Sequence, residues 1–145
     1  MSSRRILVLA ALAAPIVGMM ALFAWTGATT TTSATSTVDS FLTAYNARDC
    51  QAMLGLLYRA PGSPPVSCGQ LTAHNRPDLS HCTLGSSTSS SVHPPSGFVG
   101  LRAVSARCAQ GSGSGAKAID LDFYVATEQS TGTAKVVSIR YTGSS

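Results

Sequence analysis

The sequence has little charge and no cluster of charge of one sign. Only 11% of its 145 residues are Asp, Glu, Lys or Arg, and ten basic residues stand against six acidic ones. Arg4 and Arg5 precede the first apolar run, and the remaining basic residues are scattered without interleaved aromatic residues. Because a nucleic-acid-binding surface needs clustered Lys and Arg, the sequence predicts no nucleic acid partner.

The sequence also lacks a recognisable catalytic or metal-binding pattern. Residues 68–82 hold two Cys and two His in the spacing C-x5-H-x6-H-C, which matches no standard zinc site. Asp120 and Asp122 share one face of a predicted strand, but the other face is the apolar one, which favours a solvated pair over acid/base chemistry. We therefore expect no catalytic residue, no metal ligand, no cofactor and no enzymatic activity.

A long apolar segment dominates what is present. Ile6 to Trp25 is twenty residues without a charge, and about 20 apolar residues span a bilayer as a helix. Arg4 and Arg5 would hold the amino terminus in the cytoplasm. The segment predicts an uncleaved signal anchor in the cell membrane, with a single pass and the carboxyl-terminal domain outside the cytoplasm. The alternative is a signal peptide cleaved after Ala28, which would secrete the protein.

These features divide the chain into three parts. Residues 1–28 form the signal anchor or signal peptide, and residues 29–37 form a spacer rich in Thr and Ser. Residues 38–145 are long enough for one small extracytoplasmic domain.

All four cysteines follow the apolar segment. In an oxidising compartment an even number of cysteines predicts disulfides, here two. Three pairings are open, and the preferred one joins Cys68 to Cys82 and Cys50 to Cys108. A nucleophilic thiolate would need a free cysteine and is therefore not expected.

Two amphipathic helices are predicted at the start of the domain. Apolar residues from Val38 to Tyr45 recur at i, i+3, i+4 and i+7. Asp49 is a suitable N-cap for a second helix with the same spacing through Tyr58, which Pro61 ends. The two helices would form a helical hairpin.

The middle of the domain, residues 59–97, is predicted to be largely irregular. Its pattern allows one or two helical turns at Val66–His74 and a short strand at Ser80–Leu84. Strands are predicted afterwards at Phe98–Ala109, Ala118–Thr127 and Lys135–Thr142, two of them with clean alternation. Helices on one face of an antiparallel sheet make an α+β domain.

The register of the last hairpin follows from its apolar residues. Pairing Phe123 with Ile139 and Leu121 with Tyr141, and residue 125 with 137, keeps the apolar side chains on one face. The same register places Asp122 opposite Arg140 as a favourable cross-strand pair.

The first helical hairpin carries a family resemblance. The run Phe41-Leu42-Thr43-Ala44-Tyr45-Asn46-Ala47-Arg48-Asp49-Cys50, followed by Met53-Leu54-x-Leu56-Leu57, resembles the opening of NTF2-like (cystatin-like, SnoaL-related) domains. The resemblance implies a helical hairpin on a curved antiparallel sheet, in a membrane-anchored or secreted bacterial protein. No catalytic residue is carried over, because no matching motif exists.

The sequence thus predicts a non-enzymatic binding or accessory domain, tethered to the membrane, in an envelope complex. Its partners would be the membrane and a protein, and a homo-oligomer is an alternative. The competing hypothesis is a small-molecule-binding pocket, or an enzyme pocket like that of ketosteroid isomerase, between the helices and the sheet.

Overall fold

The computed structural model describes residues 34–73, 78–111 and 113–144, all within one compact unit that spans Ser33–Ser145. The predicted anchor, with Arg4, Arg5 and the segment Ile6–Trp25, lies outside the described residues, as do Ala28 and residues 29–33 of the spacer. None of the helices in the described ranges is long and apolar enough to cross a membrane.

In the described part of the chain, three α-helices precede the first strand. Helix α1 comprises residues 34–46, α2 is Cys50–Leu56 and α3 is Cys68–Leu71. Asp49 caps α2 as predicted, since its side chain accepts a hydrogen bond from the backbone N–H of Ala52 at 3.0 Å. The predicted spacer overlaps α1, because residues 34–37 are helical and Ala34 and Thr37 are buried.

Among the described residues, four strands make a single antiparallel sheet in the order β1-β2-β3-β4. Their bounds are Leu79–Ser89, Phe98–Gln110, Lys117–Glu128 and Ala134–Ser144. Each strand pairs with the next along the chain, so β1 and β4 are the two edges of the sheet.

The predicted α+β class, a helical hairpin packed on a curved antiparallel sheet, is wrong for the described residues, which are mostly sheet. Helix α2 has only 7 residues and α3 only 4, whereas the strands have 11 to 13. Helix α2 ends at Leu56 because Leu57 is extended, with φ −90° and ψ 138°, and bridges to Val136 of β4. Leu57 and Tyr58 pair with β4 instead of continuing the helix, although the helical spacing of apolar residues continues to Tyr58.

The second source of the error is β1. Its sequence, LSHCTLGSSTS, is rich in Ser and Thr and has weak apolar alternation, so it predicts only the short strand Ser80–Leu84. In the structure it pairs with β2 from Leu79 to Ser89. Strand formation here follows from cross-strand pairing, which overrides a weak local pattern.

The core lies between α1 and one face of the sheet. Val38, Phe41 and Leu42 of α1 are buried as their spacing predicts, and the Phe41 ring meets the Phe123 ring edge-on at 5.9 Å between centroids. Met53 of α2 is fully buried in the same cluster. The space between α1 and the sheet is therefore filled by side chains.

The register of the β3–β4 hairpin matches the prediction in its middle. Leu121 lies opposite Tyr141 and Phe123 opposite Ile139. Val125, however, lies opposite Val136 and not residue 137, because β4 has a bulge between positions 136 and 138.

The two disulfides differ from the preferred pairing. Cys50 bonds Cys68, here called the helix disulfide, and Cys82 bonds Cys108, the sheet disulfide. The predicted links Cys68–Cys82 and Cys50–Cys108 are therefore wrong. The reason is the pairing of β1 with β2, which the sequence pattern did not predict. It brings Cys82 beside Cys108 and leaves the two helix cysteines to pair with each other.

A bulge in β1 positions the sheet disulfide. The pairing of β1 with β2 shifts between Ser80 and Thr83, and His81 has φ 51°, in the left-handed region. This bulge turns Cys82 toward Cys108, which is only 2% exposed within the core.

Candidate functional site

The turn between α1 and α2 is attached to the rest of the domain by the side chains of Asn46 and Arg48. Asn46 pairs with the backbone of Leu79 in both directions: its amide nitrogen donates to the carbonyl, and the Leu79 N–H donates to its amide oxygen at 2.9 Å. Arg48, in the left-handed region at φ 55°, donates to the carbonyl of Ala73 at 2.9 Å and lies 3.5 Å from the Asp78 carboxylate. These bonds attach the α1–α2 turn to the start of β1 and to the residues that follow α3, so the motif that carries the family resemblance has a structural role.

The face of the sheet opposite the main core carries a smaller apolar cluster. Phe98, Leu101 and Ala126 are buried there, with Tyr58 and Tyr124 packed against them. The Tyr58 and Phe98 rings meet edge-on, with 5.0 Å between centroids. The sheet therefore carries apolar side chains on both faces around Phe98, Leu101 and Ala126.

The polar side chains that the sequence singled out lie on this second face, where Asp120 and Asp122 line a cleft of about 580 Å³ together with Arg107. Asp122 lies opposite Arg140 in the register of β3 and β4. In the described part of the chain no ion pair joins them. Asp122 accepts a hydrogen bond from the Ser105 hydroxyl at 2.7 Å, while the Arg140 guanidinium lies over the Tyr124 ring, 5.7 Å from its centroid. The Asp120 carboxylate lies 3.6 Å from the Arg107 guanidinium.

The outer edge of β4 is the first candidate binding feature. The Tyr58 N–H donates to the Val136 carbonyl at 2.9 Å, which covers the start of the β4 edge. Beyond Val136, no other segment among the described residues pairs with that edge. Ile139 is 43% exposed and Tyr141 57% exposed. We call these two side chains the β4 edge patch.

The β4 edge patch belongs to the core face of the sheet. Residues directly opposite in an antiparallel pair project to the same face, and Ile139 and Tyr141 lie opposite the buried Phe123 and Leu121. The core layer thus continues onto β4 but is left uncovered there. Between the two bulges of β4, Ser138–Tyr141 pairs in regular register.

A second candidate is a cleft of about 270 Å³ on the other face, here called the proline cleft. It is lined by His93, Pro94 and Pro95 of the loop before β2, by Tyr124 of β3 and by Arg140 of β4. The loop lies in the segment 59–97 that the sequence predicted to be irregular, and no sequence pattern predicted a cleft there.

A third feature is a wider cleft of about 560 Å³ near the β3–β4 turn. Its lining includes both signs of charge, from Arg59, Lys135 and Glu128. Lys135 is already engaged, since its ammonium group donates to the Gly55 carbonyl. Glu128 accepts a hydrogen bond from the Thr131 hydroxyl at 2.6 Å.

No group of three metal-ligating side chains occurs in residues 34–73, 78–111 and 113–144. Within those ranges all four cysteines are bonded as disulfides, so none is a thiol. The candidate binding features among the described residues are therefore apolar and aromatic surfaces.

Comparison with known proteins gave no match to a family model, a curated protein or a solved structure.

Proposed function

We propose that this protein is an extracytoplasmic binding domain, tethered to the membrane by Ile6–Trp25, that recruits a protein partner by strand addition at β4. It would serve as an accessory subunit of an envelope complex. Two disulfides support an oxidising compartment, because such bonds persist outside the cytoplasm.

The observation that carries the proposal is the β4 edge patch. An open edge strand presents unpaired backbone groups that another chain can pair with. Native proteins usually protect such an edge with charge or proline, and Ser138–Tyr141 contains only one charge, Arg140, and no proline. An added strand would bond to this edge and cover Ile139 and Tyr141, which extends the core layer.

The bulges limit the binding segment to a short one. They flank Ser138–Tyr141 on both sides, so a partner would add about one short strand. Affinity would then depend on the two apolar side chains, with main-chain bonds setting orientation.

The test is co-purification of the full-length protein after mild detergent extraction, comparing Ile139→Lys with Val99→Lys. Val99 lies on the internal strand β2 and is also 43% exposed, so it is a matched control. We expect a stoichiometric protein partner that is lost with Ile139→Lys and kept with Val99→Lys. Absence of a stoichiometric partner, or equal loss in both variants, would contradict the proposal.

A further inference from the structure

We propose that the proline cleft binds a small organic carboxylate with an apolar body of about one ring. The cleft lies on the face of the sheet opposite the β4 edge patch, so this inference does not rest on the proposed function. Ile139 and Tyr141 project to one face of β4 and Arg140 to the other.

The walls of the cleft are held in place before any ligand arrives. The Ser90 N–H donates to the Leu101 carbonyl at 3.0 Å, and the Phe98 N–H donates to the Pro95 carbonyl at 3.0 Å. The Gln129 N–H donates to the Gly97 carbonyl at 2.8 Å, which ties the same loop to the β3–β4 turn. Because proline also fixes φ, Pro94 and Pro95 form a rigid wall. A preformed wall lowers the entropy cost of binding.

The charge of the cleft favours an anion. His93 and Arg140 are its ionisable basic residues, and no Asp or Glu is among its lining residues. Arg140 has no acidic partner among the described residues, and its guanidinium is positioned by the Tyr124 ring. In the wider cleft near the β3–β4 turn, by contrast, Glu128 offsets the basic side chains.

The size and shape of the cleft select the ligand class. Its volume of about 270 Å³ lies slightly below the roughly 300–1,000 Å³ of drug-sized sites, which limits the ligand to about one ring. Leu101, Val137 and the Tyr124 ring supply apolar contact for that ring. A single guanidinium matches a carboxylate through two parallel hydrogen bonds, so one Arg suffices for a monoanion.

The experiment titrates benzoate into the full-length protein, labelled with nitrogen-15 and held in detergent micelles. Backbone amide shifts report the binding site, and neutral benzamide is the matched ligand control. We expect saturable shifts at the amides of His93, Ser138 and Arg140, with benzamide binding roughly tenfold more weakly because a charge-assisted pair is lost. Shifts that do not saturate, or equal affinity for benzamide, would overturn the proposal.

Variants of Arg140 and Arg59 test which positive charge binds the carboxylate. Arg140→Gln should weaken benzoate binding by roughly tenfold. Arg140→Lys should give an intermediate loss of affinity, because Lys keeps the positive charge but lacks the planar guanidinium group. Arg59→Gln removes the same charge from the wider cleft and should leave the benzoate affinity unchanged. Since Arg140 and Arg59 are both exposed, both variants should fold, which their amide spectra check. An equal loss in Arg59→Gln and Arg140→Gln would refute the assignment.

Discussion

The two disulfides should contribute unequally to stability, although their loops are similar in length. The chain-entropy relation gives about 3.5 kcal/mol at 25 °C for the sheet disulfide, with a separation of 26 residues. It gives about 3.2 kcal/mol for the helix disulfide, with a separation of 18 residues. The loop entropy alone would therefore make the two bonds nearly equivalent.

The two disulfides differ in how deeply their cysteines are buried. Cys108 is 2% exposed within the main core and Cys82 packs against that core, whereas Cys68 is exposed. Replacing the buried pair with alanine removes core volume as well as the cross-link, and a lost methylene-sized group costs about 0.8 kcal/mol or more. We expect Cys82→Ala/Cys108→Ala to lower the free energy of unfolding by about 4–5 kcal/mol, against about 3 kcal/mol for Cys50→Ala/Cys68→Ala.

The assay is equilibrium urea unfolding of both double variants and the unmodified protein, with the slope of each transition compared to exclude a change in the denatured state. A thiol titration of each unfolded, unreduced variant is the control. The observed pairing leaves no free thiol in either variant, whereas the pairing Cys68–Cys82 with Cys50–Cys108 would leave two orphaned thiols. If the helix-disulfide variant proved the less stable one, the burial argument would be refuted.

Three further predictions concern packing, capping and access. Phe123→Ala should lower the free energy of unfolding by about 3–5 kcal/mol, because it empties the centre of the core; thermal unfolding measures this, and a loss below 1 kcal/mol would contradict the core assignment. Asn46→Ala should cost about 1–3 kcal/mol by leaving the Leu79 backbone groups unpaired, and amide exchange at Leu79 should accelerate; unchanged exchange would disprove the structural role of Asn46. Mild reduction of the native protein followed by alkylation should label the cysteines of the helix disulfide before those of the sheet disulfide, because Cys68 is exposed. Mass mapping of the alkylated peptides gives the order of labelling, and the reverse order would contradict this prediction.

The strands of the last third could be predicted because their local pattern and their tertiary environment agree. Ile119, Leu121, Phe123 and Val125 alternate in the sequence and are all buried in the structure. The register followed from matching apolar faces. It failed only at Val125, since nothing in the sequence of β4 marks the bulge beside Val136.

The candidate sites were less predictable. Ile139 and Tyr141 read as core residues by their alternation, yet they are exposed because β4 is an edge strand and no described element covers them. The proline cleft needs residues from the loop before β2 and from β3 and β4, which are distant in sequence. Only their convergence on one face of the sheet makes the cleft.

The sequence by itself determined the local features: the apolar stripe of α1, the N-cap at Asp49, the alternation of β3, and an even number of cysteines in a chain with a long apolar segment. Each follows from the spacing or chemistry of neighbouring residues. Tertiary structure alone decided the long strand β1, the early end of α2 at Leu56 and the pairing of the cysteines. These depend on which distant backbone groups meet, and hydrogen bonding between strands can outweigh a weak local preference.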